Sequence, residues 1–253
     1  MPAAIFTRLA LLEARRGGLF WVALLVLAVG LALGAFLAQL ALTESRALQA
    51  SVVAALLRVS AVFVIAAQVV TSVRREIDEK RLELLLALPL SRPRQYLGRF
   101  AGFSLLGGLL AVVFALPLLL WAPPAAVVAW GLSLAGELIL VTAAGLFFAM
   151  SLASLVPALA ATAGLYLLAR SIGAMQAIGS GPLAEHGFAH ALARHIIDAV
   201  ALVLPTLDRA TRSDWLLYGA PDARSLALIL GGLLVYAALL AAAGIFDFQR
   251  RSA

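Results

Sequence analysis

Two charged residues, Arg58 and Glu137, stand inside long apolar runs of this 253-residue chain. An ionised side chain in hydrocarbon is costly and normally faces the interior of a helix bundle, a partner or a water-filled path. Three readings follow. The two can form a structural ion pair; they can contact a substrate or gate a path; or Arg58 can snorkel toward the interface. At ~1.5 Å per residue, both lie roughly 10–20 Å below the same surface, so they can meet.

A second pattern is His186, His190, Arg194 and Asp198, repeating at i, i+4, with His195 off the stripe. Two histidines at that spacing can hold a metal, and His-x-x-x-His is part of the zincin motif. That motif requires a glutamate after the first histidine, where this chain has Gly187, which argues against metalloprotease chemistry. His186 and His190 remain candidate ligands. Beside them stands the plainer reading of a solvated face on an interfacial helix, with Ile196, Ile197, Val200 and Leu204 buried.

Elsewhere the apolar runs offer only Ser, Thr and Gln68, with no obvious catalytic dyad. Cysteine is absent, so there is no disulfide, thiol nucleophile or Cys-based metal site. No Gly-x-x-x-x-Gly-Lys-[Ser/Thr] motif occurs; Gly102–Gly108 lacks the Lys-Ser/Thr pair and lies in an apolar run. The expectation is a chain without catalytic residues, cofactor or ATP of its own.

The longest charged stretch is 74–99. At ~100° per residue, Glu76, Glu79, Lys80 and Glu83 share one polar arc of a helix, with Ile77, Leu84 and Leu88 near the opposite pole and Leu85 beside them. Pro89 stops that helix, and Pro93 is expected to prevent an early restart. The bland alternative is an ordinary charged loop between two spans.

The elements that must position these residues follow from composition. The chain is 64% hydrophobic and 13% charged, where a soluble domain carries about 25% charged residues. Several apolar runs reach the ~20 residues that cross a bilayer. The fold expected is an all-α membrane protein with six transmembrane helices, at 18–42, 51–73, 100–120, 125–150, 157–171 and 225–246. An interfacial helix at 3–17 leads in, and the first run is too long for a cleavable signal peptide. Outer interfacial or re-entrant helices are expected within 172–224, with Trp215 and Tyr218 as headgroup anchors. The net charge of +6 flanks the spans and reads as an orientation signal, not a nucleic-acid patch. Lys and Arg cluster before the first span, in 74–99 and after the last span, which predicts that both termini and 74–99 are cytoplasmic.

The run Arg75-Glu76, then Arg81-Leu82-Glu83-Leu84-Leu85-Leu86-Ala87-Leu88-Pro89-Leu90-Ser91-Arg92, then Tyr96-Leu97-Gly98-Arg99, resembles type-2 ABC-transporter permeases. The likeness extends to the order of lead-in helix, six spans and long outer segment. Lys80-Arg81 departs from it, because many relatives carry a glycine-threonine or arginine-threonine pair there.

The resemblance implies that 74–99 holds the coupling helix, seated in a groove of a separate ATP-binding subunit. The docking residues would be Glu76, Glu79, Lys80, Arg81, Glu83, Leu84, Leu85 and Pro89. It also implies that helix 3–17 is the family's elbow helix. The assembly would be two permease copies, as a homodimer, with two ATP-binding subunits carrying ATP and Mg, in a bacterial cytoplasmic (inner) membrane. The second and fifth spans would line the path. Export of a substrate and service to metalloenzyme or cytochrome maturation both fit such a family. An intramembrane enzyme or a non-transporting assembly protein are the readings of other classes.

Overall fold

Helices follow the apolar runs but outlast them. Leu19–Leu40 forms α1, Ser45–Asp78 α2, Arg92–Ala115 α3, Pro124–Ser151 α4 and Leu155–Gly179 α5. Phe188–Val203 forms α6, Leu207–Ala210 α7, Trp215–Tyr218 α8 and Ala223–Arg250 α9. The computed structural model describes residues 18–40, 45–79, 91–179, 188–205, 207–211 and 214–250, and among them there is no strand. Six helices, α1–α5 and α9, are long and apolar enough to cross a bilayer. The chain is an all-α, multi-pass membrane protein.

Several boundaries differ from the sequence expectation, and one reason covers most of them. A helix does not end where apolarity ends, since Arg, Gln, Leu and Ala are all good helix formers. Hence α2 begins at Ser45 and continues through Arg74, Arg75 and Glu76 to Asp78, past the expected limits of 51 and 73. Pro93 was expected to delay the next helix. Instead it occupies the first turn of α3, where its missing N–H costs nothing, so Arg92–Arg99 are part of the same helix as the third span. The charged segment between helices therefore shrinks from 74–99 to 79–91. Residues 80–90, which carry Lys80, Arg81, Glu83, Leu84, Leu85 and Pro89, lie outside the described residues, as does the expected lead-in helix 3–17. Pro157 likewise sits in the first turn of α5, which starts at Leu155 and runs to Gly179. That takes 172–179 out of the outer segment, whose remainder holds α6, α7 and α8.

The last turns of the third span are pulled into a 3-10 helix, Leu116–Leu120, whose second residue is Pro117. Without an N–H there, the α-helical ladder cannot continue undisturbed. This tightening brings Trp121 against α1 at Gly34, where a Cβ would stand 2.7 Å from the indole Cζ2.

The central helix is α4, which packs against α2, α3, α5 and α9. Its length is buried on nearly every side, including the polar residues Ser133, Glu137 and Thr142. By contrast α1 and α9 leave broad apolar faces open, as lipid-facing helices do. Two ends can be told apart. Arg74, Arg75, Arg92, Arg94, Arg99 and Arg250 gather at one, the basic end; α6, α7 and α8 gather at the other, the far end.

Candidate functional site

Arg58 and Glu137 each stand thirteen residues in from the far-end start of α2 and α4, about 20 Å along the axis. Both are wholly buried, and they meet. Arg58 Nη1 donates to Glu137 Oε2 at 2.7 Å, and Arg58 Nη2 donates to Ser133 Oγ at 2.9 Å. The Trp130 and Ala210 carbonyls lie farther off, at 3.5 Å each. The guanidinium also stacks over the Trp130 ring, 4.8 Å from its centroid, a geometry that favours Arg over Lys.

Residues not singled out in the sequence complete the cluster. Tyr166 on α5 donates its hydroxyl to Glu137 Oε1 at 2.8 Å and accepts from Arg170 Nη1 at 2.6 Å. Both carboxylate oxygens are thus occupied, one by Arg58 and one by Tyr166. Their signal was present as spacing: Ser133 and Glu137, like Tyr166 and Arg170, are i, i+4 pairs that share a helix face. Through these contacts one buried pair ties α2, α4, α5 and, by the longer Ala210 contact, α7.

This arrangement can hold charge and fix helix register. It is poorly built for nucleophilic chemistry. The Ser133 hydroxyl donates to the Trp130 carbonyl at 2.9 Å and receives an N–H from Arg58, so no base takes its proton.

At the basic end the geometry is of another kind. Glu76 on α2, one of the residues expected to dock a partner, pairs with Arg99 on α3, with Oε2 2.9 Å from Arg99 Nη2 and 3.0 Å from Nε. The reason is the extension of both helices: Glu76 and Arg99 stand on facing stems, and Arg99 is buried between them. Arg74, only 7% exposed, donates to the carbonyls of Leu152 at 3.1 Å and Ala153 at 2.6 Å, and to Asp78 at 3.1 Å. Arg92 donates to the Phe248 carbonyl in the last turn of α9 at 3.3 Å. Ser151 donates to Asp247 at 2.9 Å. Glu79 follows the last residue of α2 and is exposed.

The histidine stripe is placed only in part. His186 lies outside the described residues, and His190 has a place on α6. Arg194 and Asp198 stand 3.9 Å apart on α6, and Asp198 accepts from Gln176 of α5 at 3.0 Å. Among the described residues no group of three or more potential metal ligands comes together. Of the apolar residues expected to be buried there, Leu204 is, Ile197 and Val200 are half-buried, and Ile196 is 55% exposed. Trp215, expected as a headgroup anchor, is instead packed inside, whereas Tyr218 is 88% exposed. The short α8 turns one aromatic in and the other out.

No protein-family model matches the chain, and no curated protein matches it either.

Proposed function

We propose that the chain is the membrane subunit of an ABC transporter of the type-2 permease kind, driven by ATP hydrolysis on a separate ATP-binding subunit. The observation that carries this reading is the rooting of the charged segment. Residues 79–91 join two helical stems, α2 and α3, which are tied together by the Glu76–Arg99 ion pair, with Arg99 buried and Glu76 partly so. Two stems tied at their ends move as one body, which is what the base of a docking element for a cytoplasmic motor requires. The sequence motif across 75–99 supports the same reading. Glu79 and Glu83 then face the ATP-binding subunit, while Glu76 serves the stem. The basic end is cytoplasmic on the Lys/Arg asymmetry, in a bacterial inner membrane, with two permease copies and two ATPases per assembly.

The test is co-purification. A P-loop ATPase should follow the detergent-extracted chain and be lost, or lose its coupling to transport, in Glu79→Ala/Glu83→Ala. Absence of any associated ATPase refutes the proposal. The Glu76→Ala variant should behave differently, because it breaks the stem: it should weaken the membrane subunit itself before it weakens docking.

A further inference from the structure

Four spans do not flank the charged segment, and two arginines reach from its flanking helices to α4, the α4–α5 turn and α9. Arg74 leaves α2 one turn before that helix ends and places its guanidinium beneath the turn that joins α4 to α5. Besides the Leu152 and Ala153 carbonyls, it approaches Ala149 in the last turn of α4 at 3.5 Å. Arg92 opens α3 and reaches the end of α9 at Phe248, with Gln249 at 3.5 Å. The Ala149, Phe248 and Gln249 carbonyls are ones that a helix leaves without internal partners, at the negative end of its dipole, whereas those of Leu152 and Ala153 belong to the turn.

We propose that Arg74 and Arg92 are positioning residues that carry movement of the basic-end stems of α2 and α3 into other spans, Arg74 into the α4–α5 turn and Arg92 into α9. The inference rests on the permease reading and adds the route of transmission. Apolar packing is non-directional: it resists being pushed together but slides under shear. A guanidinium held on carbonyls by charge-assisted hydrogen bonds resists a pull as well as a push, and its rigid fork keeps the angle. A motor that closes and reopens needs both directions. The Glu76–Arg99 ion pair ties the stems of α2 and α3, so one displacement of the two stems reaches the α4–α5 turn and α9 together. Ser151 on Asp247 links the two receiving ends.

The two clamps serve different helices, so their loss should be separable. The chain has no native cysteine, which permits clean spin-label pairs. In nanodiscs, Arg94→Cys with Ser154→Cys reports the α4–α5 turn, and Arg94→Cys with Gln249→Cys reports α9. Arg74→Gln should broaden the first distance distribution and leave the second unchanged; Arg92→Gln should do the reverse. With the ATPase bound, trapping of ADP and vanadate after ATP hydrolysis should shift the distance between Ser154→Cys and a far-end label at Tyr218→Cys. Arg74→Gln should abolish that shift while hydrolysis continues, and Arg74→Lys should retain part of it. Unchanged distributions, or both broadening together in either variant, overturn the proposal, as does an intact nucleotide shift in Arg74→Gln. If the clamps are seen but no ATPase binds, it is the permease reading that has failed, and the transmission route fails with it.

Discussion

The buried pair makes the sharpest energetic statement. Replacing Glu137 by Gln keeps the shape and an acceptor for the Tyr166 hydroxyl, and removes only the charge. Arg58 then holds a full positive charge at 0% exposure with no counter-ion in contact. Breaking a buried pair from one side costs ~3–5 kcal/mol, because the remaining ion must be desolvated without compensation. That is a large part of the ~5–15 kcal/mol that holds a native protein together. Arg58→Met should cost a similar ~3–5 kcal/mol, since Glu137 would keep only Tyr166. Removing both charges, in Arg58→Met/Glu137→Gln, should fall within about 2 kcal/mol of the native chain, because replacing a buried pair by apolar bulk is often near neutral. The charge swap Arg58→Glu/Glu137→Arg should recover less than this neutral double. It would place a guanidinium beside the Tyr166 hydroxyl that already serves Arg170, and would leave the Trp130 face without its cation. Unfolding free energies from SDS titration in bicelles measure all four variants. Single variants costing under about 1 kcal/mol, or a double variant equal to the sum of its singles, would refute a direct, desolvated pair.

Three smaller predictions test other parts of the same reasoning. Tyr166→Phe should cost ~1–3 kcal/mol in the same titration, since Glu137 Oε1 and Arg170 both lose a buried partner. Tyr166→Trp would not restore it, because an indole can donate to the carboxylate but cannot accept from Arg170. Gly34→Ala should cost ~1–3 kcal/mol by forcing a Cβ toward the Trp121 ring, and a shift in tryptophan emission should accompany it. At the start of α9, Asp222 accepts the Ser225 N–H at 3.2 Å, and hydrogen bonding from the Ser225 side chain first and its N–H second holds the carboxyl below the ordinary carboxylate range. The folded value lies below the unfolded one, so the cap is present at neutral pH and is lost as pH falls through the lowered value. Exchange of the Ser225 amide should therefore quicken, relative to its intrinsic rate, as pH falls beneath the ordinary aspartate range. Asp222→Ala should quicken it at neutral pH, whereas Asp222→Asn should not.

How much of this could be read beforehand depends on which force decides each feature. The six spans were legible because lipid imposes a length and an apolarity on any helix that crosses it, and both are written locally. Their ends were not, because the helical hydrogen-bond ladder is indifferent to the water boundary: Arg74 and Glu76 extend α2, and Pro93 begins α3 where it was expected to hold it back. Arg58 and Glu137 announced themselves because a charge in an apolar run has few tolerable fates. Tyr166 and Ser133 did not, since a lone hydroxyl in a span is cheap and common, and only the three-dimensional crossing of α4, α5 and α2 shows which hydroxyl completes the carboxylate. The charged segment shows the limit most clearly. Helical phasing set Glu76 and Glu79 on one polar arc, yet the structure gives Glu76 to Arg99, twenty-three positions away, while Glu79 stands exposed at the end of the stem. Phasing assigns a residue to a face; it does not say whether that face meets solvent, a partner or another helix of the same chain. In this chain that choice divides the acidic residues into those that build the stem and those left to be tested at its tip.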